Sequence, residues 1–275
     1  MDLFKKIIGS QIKQMRMSIR KLFRRYNVEA VHDLRVAALR TDFALNFCEQ
    51  SKGIVLVKKI RNQLKEARRI MGRARNLDIL FVRTEKNLKN LNLTSSQAEG
   101  IMKLIQSHRN TSHQALMRML ESSWFEGILK DLERIKNERG VPDLPSIIKG
   151  PFKQTINFVL EYRNKEIHAF NLHVIRIAFK KLHYACEFFE EVDKPRMQKA
   201  LKFILKFQDL LGERQDGVAS EKLLSGFEHK LVSKFLKMEK VFVKDHQKKF
   251  EKLWKESFLK SSILVRLHRW AEHYS

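Results

Sequence analysis

The sequence predicts an all-α fold built from a duplicated helical unit. Three observations lead there: apolar residues recur at three- and four-residue steps along nearly the whole chain, no segment shows a convincing period-two strand pattern, and two separate fragments repeat at nearly one offset. Ten Gly and four Pro among 275 residues are too few for collagen-like, linker-rich or propeller-like architectures. An apolar content of 43% is enough to build a core, which excludes simple disorder.

Taken in order, Ile8, Ile12, Met15, Ile19, Leu22 and Phe23 mark a first helix, and Leu34, Ala37, Ala38, Phe43, Ala44 and Phe47 mark a second. A long helical pattern runs from about Val55 to Leu91 with an interruption at Gly72, and another from Ser95 to Arg139. Gly140, Pro142, Pro145, Gly150 and Pro151 then punctuate the chain and predict a linker or sharp crossover. Beyond it, Val31-His32-Asp-Leu-Arg35-Val-Ala37 reappears as Leu172-His173-Val-Ile-Arg176-Ile-Ala178, an offset of 141. Ile70-Met71-Gly72-Arg73-Ala-Arg75-Asn76 reappears as Leu210-Leu211-Gly212-Glu213-Arg-Gln215-Asp216, an offset of 140. The expected organisation is a helical repeat over 1–140, a linker over 141–151 and a second repeat over 152–275.

Charge is the second strong signal. Fifty-five Lys+Arg against 31 Asp+Glu give a formal charge of +24 and a pI near 10.1. Such an excess destabilises a compact chain by self-repulsion, and a polyanionic partner relieves it: nucleic acid, an anionic membrane surface or a phosphate polymer. Cys48 and Cys186 cannot make a disulfide framework, and no Cys-x-x-Cys pair exists to bind zinc, which points to a reducing compartment. No apolar run approaches the ~20 residues of a membrane span. The N-terminus, Lys-rich at helical spacing and without a small-residue cleavage site, does not read as a signal peptide. A cytoplasmic location is the expectation.

The placement of the basic residues is more specific than their number. His173, Arg176, Lys180 and His183 fall within about 80° on a helix, with no acid among them. The matching positions of the first half are His32, Arg35, Leu39 and Asp42, with Arg40 on the flank. On the next helix Lys58, Arg61, Lys65, Arg68 and Arg75 lie within about 100°, with Gly72 in the same arc and Arg69 and Arg73 alongside. Like charges at this spacing repel, so a merely structural helix would mix in more acid than Glu66 and Asp78. The repeat offers Lys199, Lys202 and Lys206, and the first helix offers Arg16 and Arg20 in one arc with Lys6, Lys13 and Arg24. If the halves pack together, these ridges converge on a groove or pore. Gly72 and Gly212 allow two readings: a close helix crossing or helix end, or a gap through which a polyanion reaches the backbone or a helix N-terminus. His32 and His173, each three residues before an Arg on one face, suit donation to phosphate oxygens, which only accept. No His pair at i,i+4 spacing recommends a metal site.

These residues also carry a resemblance over nearly the whole length. The chain resembles the CHAD domain family, the conserved histidine α-helical domains. The His-x-x-Arg-hydrophobic-Ala pattern stands at His32 to Ala37 and His173 to Ala178, and a basic run continues as Lys180-Lys181-Leu-His183-Tyr184-Ala185-Cys-Glu187. Phe207-Gln208-Asp209-Leu210-Leu211-Gly212 and Gly72-Arg-Ala-Arg75-Asn76-Leu-Asp78-Ile79-Leu80 match its downstream elements. Departures are the thinned basic cluster around Arg40, His183 where Arg is common, and Asn76 and Gln215 in place of Asp and Asn. The resemblance implies two pseudo-symmetric four-helix-bundle halves around a basic central cavity, binding of inorganic polyphosphate, and residence at polyphosphate granules.

The residue-level and family readings meet on a non-enzymatic receptor for polyphosphate, needing no cofactor and no metal. The candidate ligands are His32, Arg35, Arg40, Lys65, Arg68, Arg69, Arg73 and Arg75 from the first half. His173, Arg176, Lys180, Lys181, His183, Lys199, Lys202 and Lys206 come from the second, with Arg16 and Arg20 at the rim. The competing class is RNA or DNA backbone binding. Single-strand binders interleave aromatics with bases on an exposed face, whereas the 19 Phe here follow core periodicity and only Tyr184 lies near the ridges. Phosphoanhydride chemistry would need acids gathered round a metal; Asp33, Asp42, Asp78, Glu187, Asp209 and Asp216 are scattered and read instead as salt-bridge or capping residues.

Overall fold

Period-3.6 apolar spacing becomes helices in order along the chain. The structure, a computed structural model, describes residues 2–52, 55–88, 94–137, 144–168, 171–226 and 232–274. Helix α1 spans Asp2–Arg24, α2 Val28–Lys52, α3 Val55–Leu88, α4 Ser95–Glu121 and α5 Ser123–Asn137. A short α6, Leu144–Ile147, runs through a π-helical turn at Ile148–Phe152 into α7, Lys153–Leu160. Then come α8 Leu172–Phe188, α9 Lys194–Leu224, α10 Val232–Leu253 and, after a second π turn at Trp254–Phe258, α11 Ile263–Glu272. The described residues contain no strand, so the chain is all-α.

Local chemistry fixes the ends. Asn27 begins α2, its side-chain oxygen accepting the Ala30 N–H at 2.9 Å. Thr94 begins α4 with a capping box in which Thr94 Oγ1 accepts from Gln97 N and Gln97 Oε1 from Thr94 N. The helix expected over 95–139 is split at Ser122, whose extended backbone and hydroxyl bond to the Met119 carbonyl end α4. The interruption expected at Gly72 is absent: α3 continues through it, as α9 does through Gly212. Neither glycine therefore ends a helix or offers a helix N-terminus to a ligand. Residues 141–143 of the expected linker lie outside the described residues. From Leu144 onward that stretch is helical, and Pro151, which lacks an N–H and crowds the preceding turn, is absorbed in the wide π turn.

The chain forms two compact units, one of residues 2–139 and 216–241, the other of 140–215 and 242–275. In the first, α1 packs on α2, α2 on α3 and α3 on α4, with α5 against α1 and α3. Its core buries Ile8, Met15, Leu34, Leu45 and Ile60 completely. A second cluster joins Leu77, Leu80, Ile101 and Ile105 to Leu224, Val232 and Phe235. The other unit has an aromatic core: Phe179 stacks on Phe207 with centroids 5.1 Å apart, and Trp254 on Phe258 at 3.8 Å, beside buried Phe152, Phe189 and Phe250. Each such ring contributes roughly 1.5–3 kcal/mol by leaving water. None of the described helices is long and apolar enough to cross a membrane.

Candidate anion-binding site

In the first unit α2 and α3 run antiparallel, and their facing strips contain most of the chemistry. Positions 61, 68, 72 and 75 of α3 share about 60° of arc. Asp42 of α2 meets the first two: Arg61 Nε donates to Asp42 Oδ1 and Arg68 Nη1 to Oδ2, both at 2.9 Å. Two turns earlier on α2, Arg35 lies over Gly72; a Cβ built on that glycine would stand 3.7 Å from Arg35 Nε. The missing side chain thus gives the guanidinium its path across α3. One turn further, His32 sits half-buried in the field of Arg75, and burial first, then that charge, lowers its pKa from the usual 6.5. Arg75 Nη1 is also 4.0 Å from Glu29 on α2.

The other candidates of this half disperse. Arg69 is exposed and bonded to Glu66 at 2.7 Å, while Lys65 and Arg73 are exposed. Arg40 lies about 140° round α2 from Arg35. Arg16 pairs with Glu126 of α5 at 3.3 Å, and Arg20 is exposed on α1. Asp78 is fully buried, accepting from Tyr26 Oη at 2.8 Å, Arg109 Nε at 2.6 Å and the His113 ring at 2.9 Å. Tyr26 stacks on His113 with centroids 3.6 Å apart. Burial alone would raise the Asp78 pKa, but the hydrogen bonds from His113, Arg109 and Tyr26 hold it below its usual value. Burial, then Asp78, drives the Tyr26 phenol strongly upward. This is a structural lock between α3 and α4 with the end of α1.

The second unit repeats the antiparallel pairing with α8 and α9. His173 Nδ1 lies 3.2 Å from Gln215 Oε1, where the first half has His32 beside Arg75. Gln208 Nε2 donates to the Phe179 carbonyl at 2.8 Å. This register, 173 against 215 and 179 against 208, brings Arg176 level with Gly212. A Cβ on Gly212 would meet nothing within 4 Å, so the surface beside this strip is open. His173 is exposed, and Arg176, Lys180 and His183 are half-buried along one arc of α8. His183 Nε2 holds Glu187 at 3.2 Å, and its Nδ1 is buried without a hydrogen-bond partner. Lys181 sits about 100° away from Lys180 on α8. Lys199, Lys202 and Lys206 are exposed, on an arc of α9 turned by ~80–140° from Gly212. The first unit thus sets Arg35 against Gly72, the second sets His173 against Gln215, and helix geometry turns Lys199, Lys202 and Lys206 away from the arc of Gly212.

Sequence reasoning did not anticipate that Asp42 engages two arginines, nor that Arg196 and Arg266 come together with Lys199. The first needed the α2–α3 register, the second a contact between distant segments. Among the described residues no group of three His, Cys, Asp or Glu side chains is placed to hold a metal ion. Chemically the two strips present fixed hydrogen-bond donors and positive charge to an anion.

The fold is found in solved proteins. The crystal structure of the CHAD domain from the plant Ricinus communis superposes with a TM-score of 0.70 at 17% identity, over all of this chain and 91% of that one. PptA from Streptomyces chartreusis superposes with a TM-score of 0.71 at 14% identity, over 93% of this chain and 99% of that one. No curated protein matches the sequence significantly. The CHAD domain profile itself matches residues 6–225, which span both His-x-x-Arg motifs and both glycines, and so the chain belongs to the CHAD domain family.

Proposed function

We propose that this protein binds inorganic polyphosphate without turning it over, through the His-x-x-Arg strips of α2 and α8. Some CHAD domains bind polyphosphate. The observation that carries the reading for this chain is the α8 strip: His173, Arg176 and Lys180 lie on one arc beside open surface at Gly212, and Glu187 at the end of that arc is held by His183. Polyphosphate has no bases to read, so affinity comes from charge matching and counterion release, as in non-specific nucleic-acid binding. Arg grips two oxygens at once and Lys follows as a mobile point charge, which allows the polymer to slide. On the first half Arg35 and His32 serve the same purpose with Arg75, while Lys65, Arg69, Arg73, Lys181, Lys202 and Lys206 supply a peripheral field. The acids support a binding role, because Asp42, Asp78 and Glu187 are each engaged by basic side chains. The protein works in the cytoplasm, at polyphosphate granules.

The test is a titration with polyphosphate of defined lengths over a salt series, with RNA of equal charge as competitor. Preference for polyphosphate at matched charge supports the reading. Equal or tighter RNA binding would move the protein to the nucleic-acid class, and magnesium-dependent loss of the polymer would make it an enzyme.

A further inference from the structure

The second unit contains a recess of about 290 Å³ between the start of α9 and α11. Its walls include Asp193, Arg196 and Lys199 on one side and Ile263, Arg266 and Leu267 on the other. That volume is at the small end of ligand pockets, roughly 300–1,000 Å³, and suits one small molecule instead of a polymer. Arg196, Lys199 and Arg266 are exposed at its edge, while Leu267 is buried and Ile263 half-buried in its floor. Asp193 is already engaged: its carboxylate accepts from the Arg196 backbone N–H at 3.1 Å and from Arg196 Nε at 2.8 Å. The Arg196 guanidinium lies 5.6 Å from the centroid of the Trp270 ring, which orients it.

The charge balance of the recess is two positive. Asp193 caps the first turn of α9, where Arg196 stands, and offsets one of the three positive charges, while Lys199 lies a turn further along the helix. A bound dianion balances the remaining two charges and relieves their mutual repulsion. A phosphate monoester carries nearly two negative charges at neutral pH, and an organic body attached to it would cover Ile263 and Leu267. We propose that this recess is a second anion site, distinct from the polymer-binding strips, that takes a phosphate monoester with a compact apolar or aromatic body, of the mononucleotide class. Arg266 and Lys199 grip the phosphate, Arg196 closes over it, and the floor takes the base or other body.

The test is calorimetric titration of the full chain with adenosine 5′-monophosphate and, separately, inorganic phosphate, at physiological salt. The expected result is saturable binding of the nucleotide at least tenfold tighter than inorganic phosphate. Replacing Arg196→Gln and Arg266→Gln together should weaken nucleotide binding at least tenfold while long-chain polyphosphate binding stays within about twofold. Both residues are exposed, and an unchanged melting temperature checks the fold of the variant. Absence of saturable binding to the wild type overturns the proposal. So does phosphate binding as tightly as the nucleotide, or nucleotide affinity that the double variant leaves intact. Loss of polyphosphate binding in that variant would also overturn it, because the recess would then be part of the polymer site. Because the wild-type titration does not depend on polyphosphate, failure of the polymer reading leaves this result standing.

Discussion

Asp42 on α2 holds Arg68 on α3 at 2.9 Å, and its other carboxylate oxygen holds Arg61 at the same distance. The repeat offset places His183 at the corresponding point of the second half, so the first strip carries a carboxylate where the second carries an imidazole. The variant Asp42→Asn releases two guanidinium charges toward a polyanion. Polyphosphate affinity should rise about three- to tenfold, and the salt slope should steepen by one to two, by analogy with phosphate contacts on nucleic acid. The melting temperature should also fall, because Asp42 is largely buried and its loss leaves two guanidinium groups without their carboxylate. Affinity measured by filter binding at several salt concentrations checks this.

Gly72 gives a steric test. A methyl group there stands at ordinary contact distance from Arg35, and alanine in a helix interior gains roughly 0.5–1 kcal/mol over glycine. Gly72→Ala should therefore fold at least as stably as the wild type and keep its affinity. Gly72→Leu must displace the Arg35 side chain, and polyphosphate affinity should drop several-fold with little loss of helicity. Thermal unfolding with parallel titration separates the two outcomes.

His32 makes the site pH-sensitive with opposite signs in its free and bound forms. In the free protein its pKa is depressed, by burial first and then by Arg75. The unfolded chain thus binds this proton more readily, and the associated stability is present above the ordinary value of 6.5 and is lost as pH falls through the lower folded value. A bound polyanion favours the charged imidazole, so affinity should increase as pH falls from 7.5 to 5.5. In His32→Gln both effects should diminish. Isothermal titration in buffers of different ionisation enthalpy should show proton uptake on binding by the wild type that the variant lacks in part.

The Asp78 cluster is structural, so its removal should affect stability and not polymer contacts directly. Replacing Asp78 by Asn leaves Arg109 without its buried carboxylate and should cost about 3 kcal/mol. Burial opposes the charge, yet the bonds from His113, Arg109 and Tyr26 prevail and the pKa is lowered. Its contribution is therefore complete above the ordinary value of 3.8 and is lost as pH falls through the folded value. Urea midpoints at pH 7 and pH 3 should differ less in the variant than in the wild type.

How much was legible beforehand follows from the range of each interaction. Helical class and the doubled His-x-x-Arg motif depend on local periodicity, which the sequence carries directly. The repeat offset aligned Arg75 with Gln215, but that these stand beside His32 and His173 depends on the helix register, which only the structure supplies. The break at Ser122 was hidden because a serine flanked by helix formers has no distinctive composition; its hydroxyl-to-carbonyl bond ends the helix. Gly72 resembled a helix end but is a notch for Arg35. Lys199, Lys202 and Lys206 share α9 with Gly212 but lie ~80–140° round from it, so they add charge near the strip without lying on it. The recess near Lys199 joins residues some 70 positions apart, beyond any local pattern.

The most direct test of polymer binding by the second strip is Arg176→Ala with Lys180→Ala, titrated with long-chain polyphosphate from low to physiological salt. Affinity at physiological salt should fall at least tenfold, and the salt dependence should flatten by about one for each cation removed. Unchanged affinity and slope in a folded double variant would contradict it.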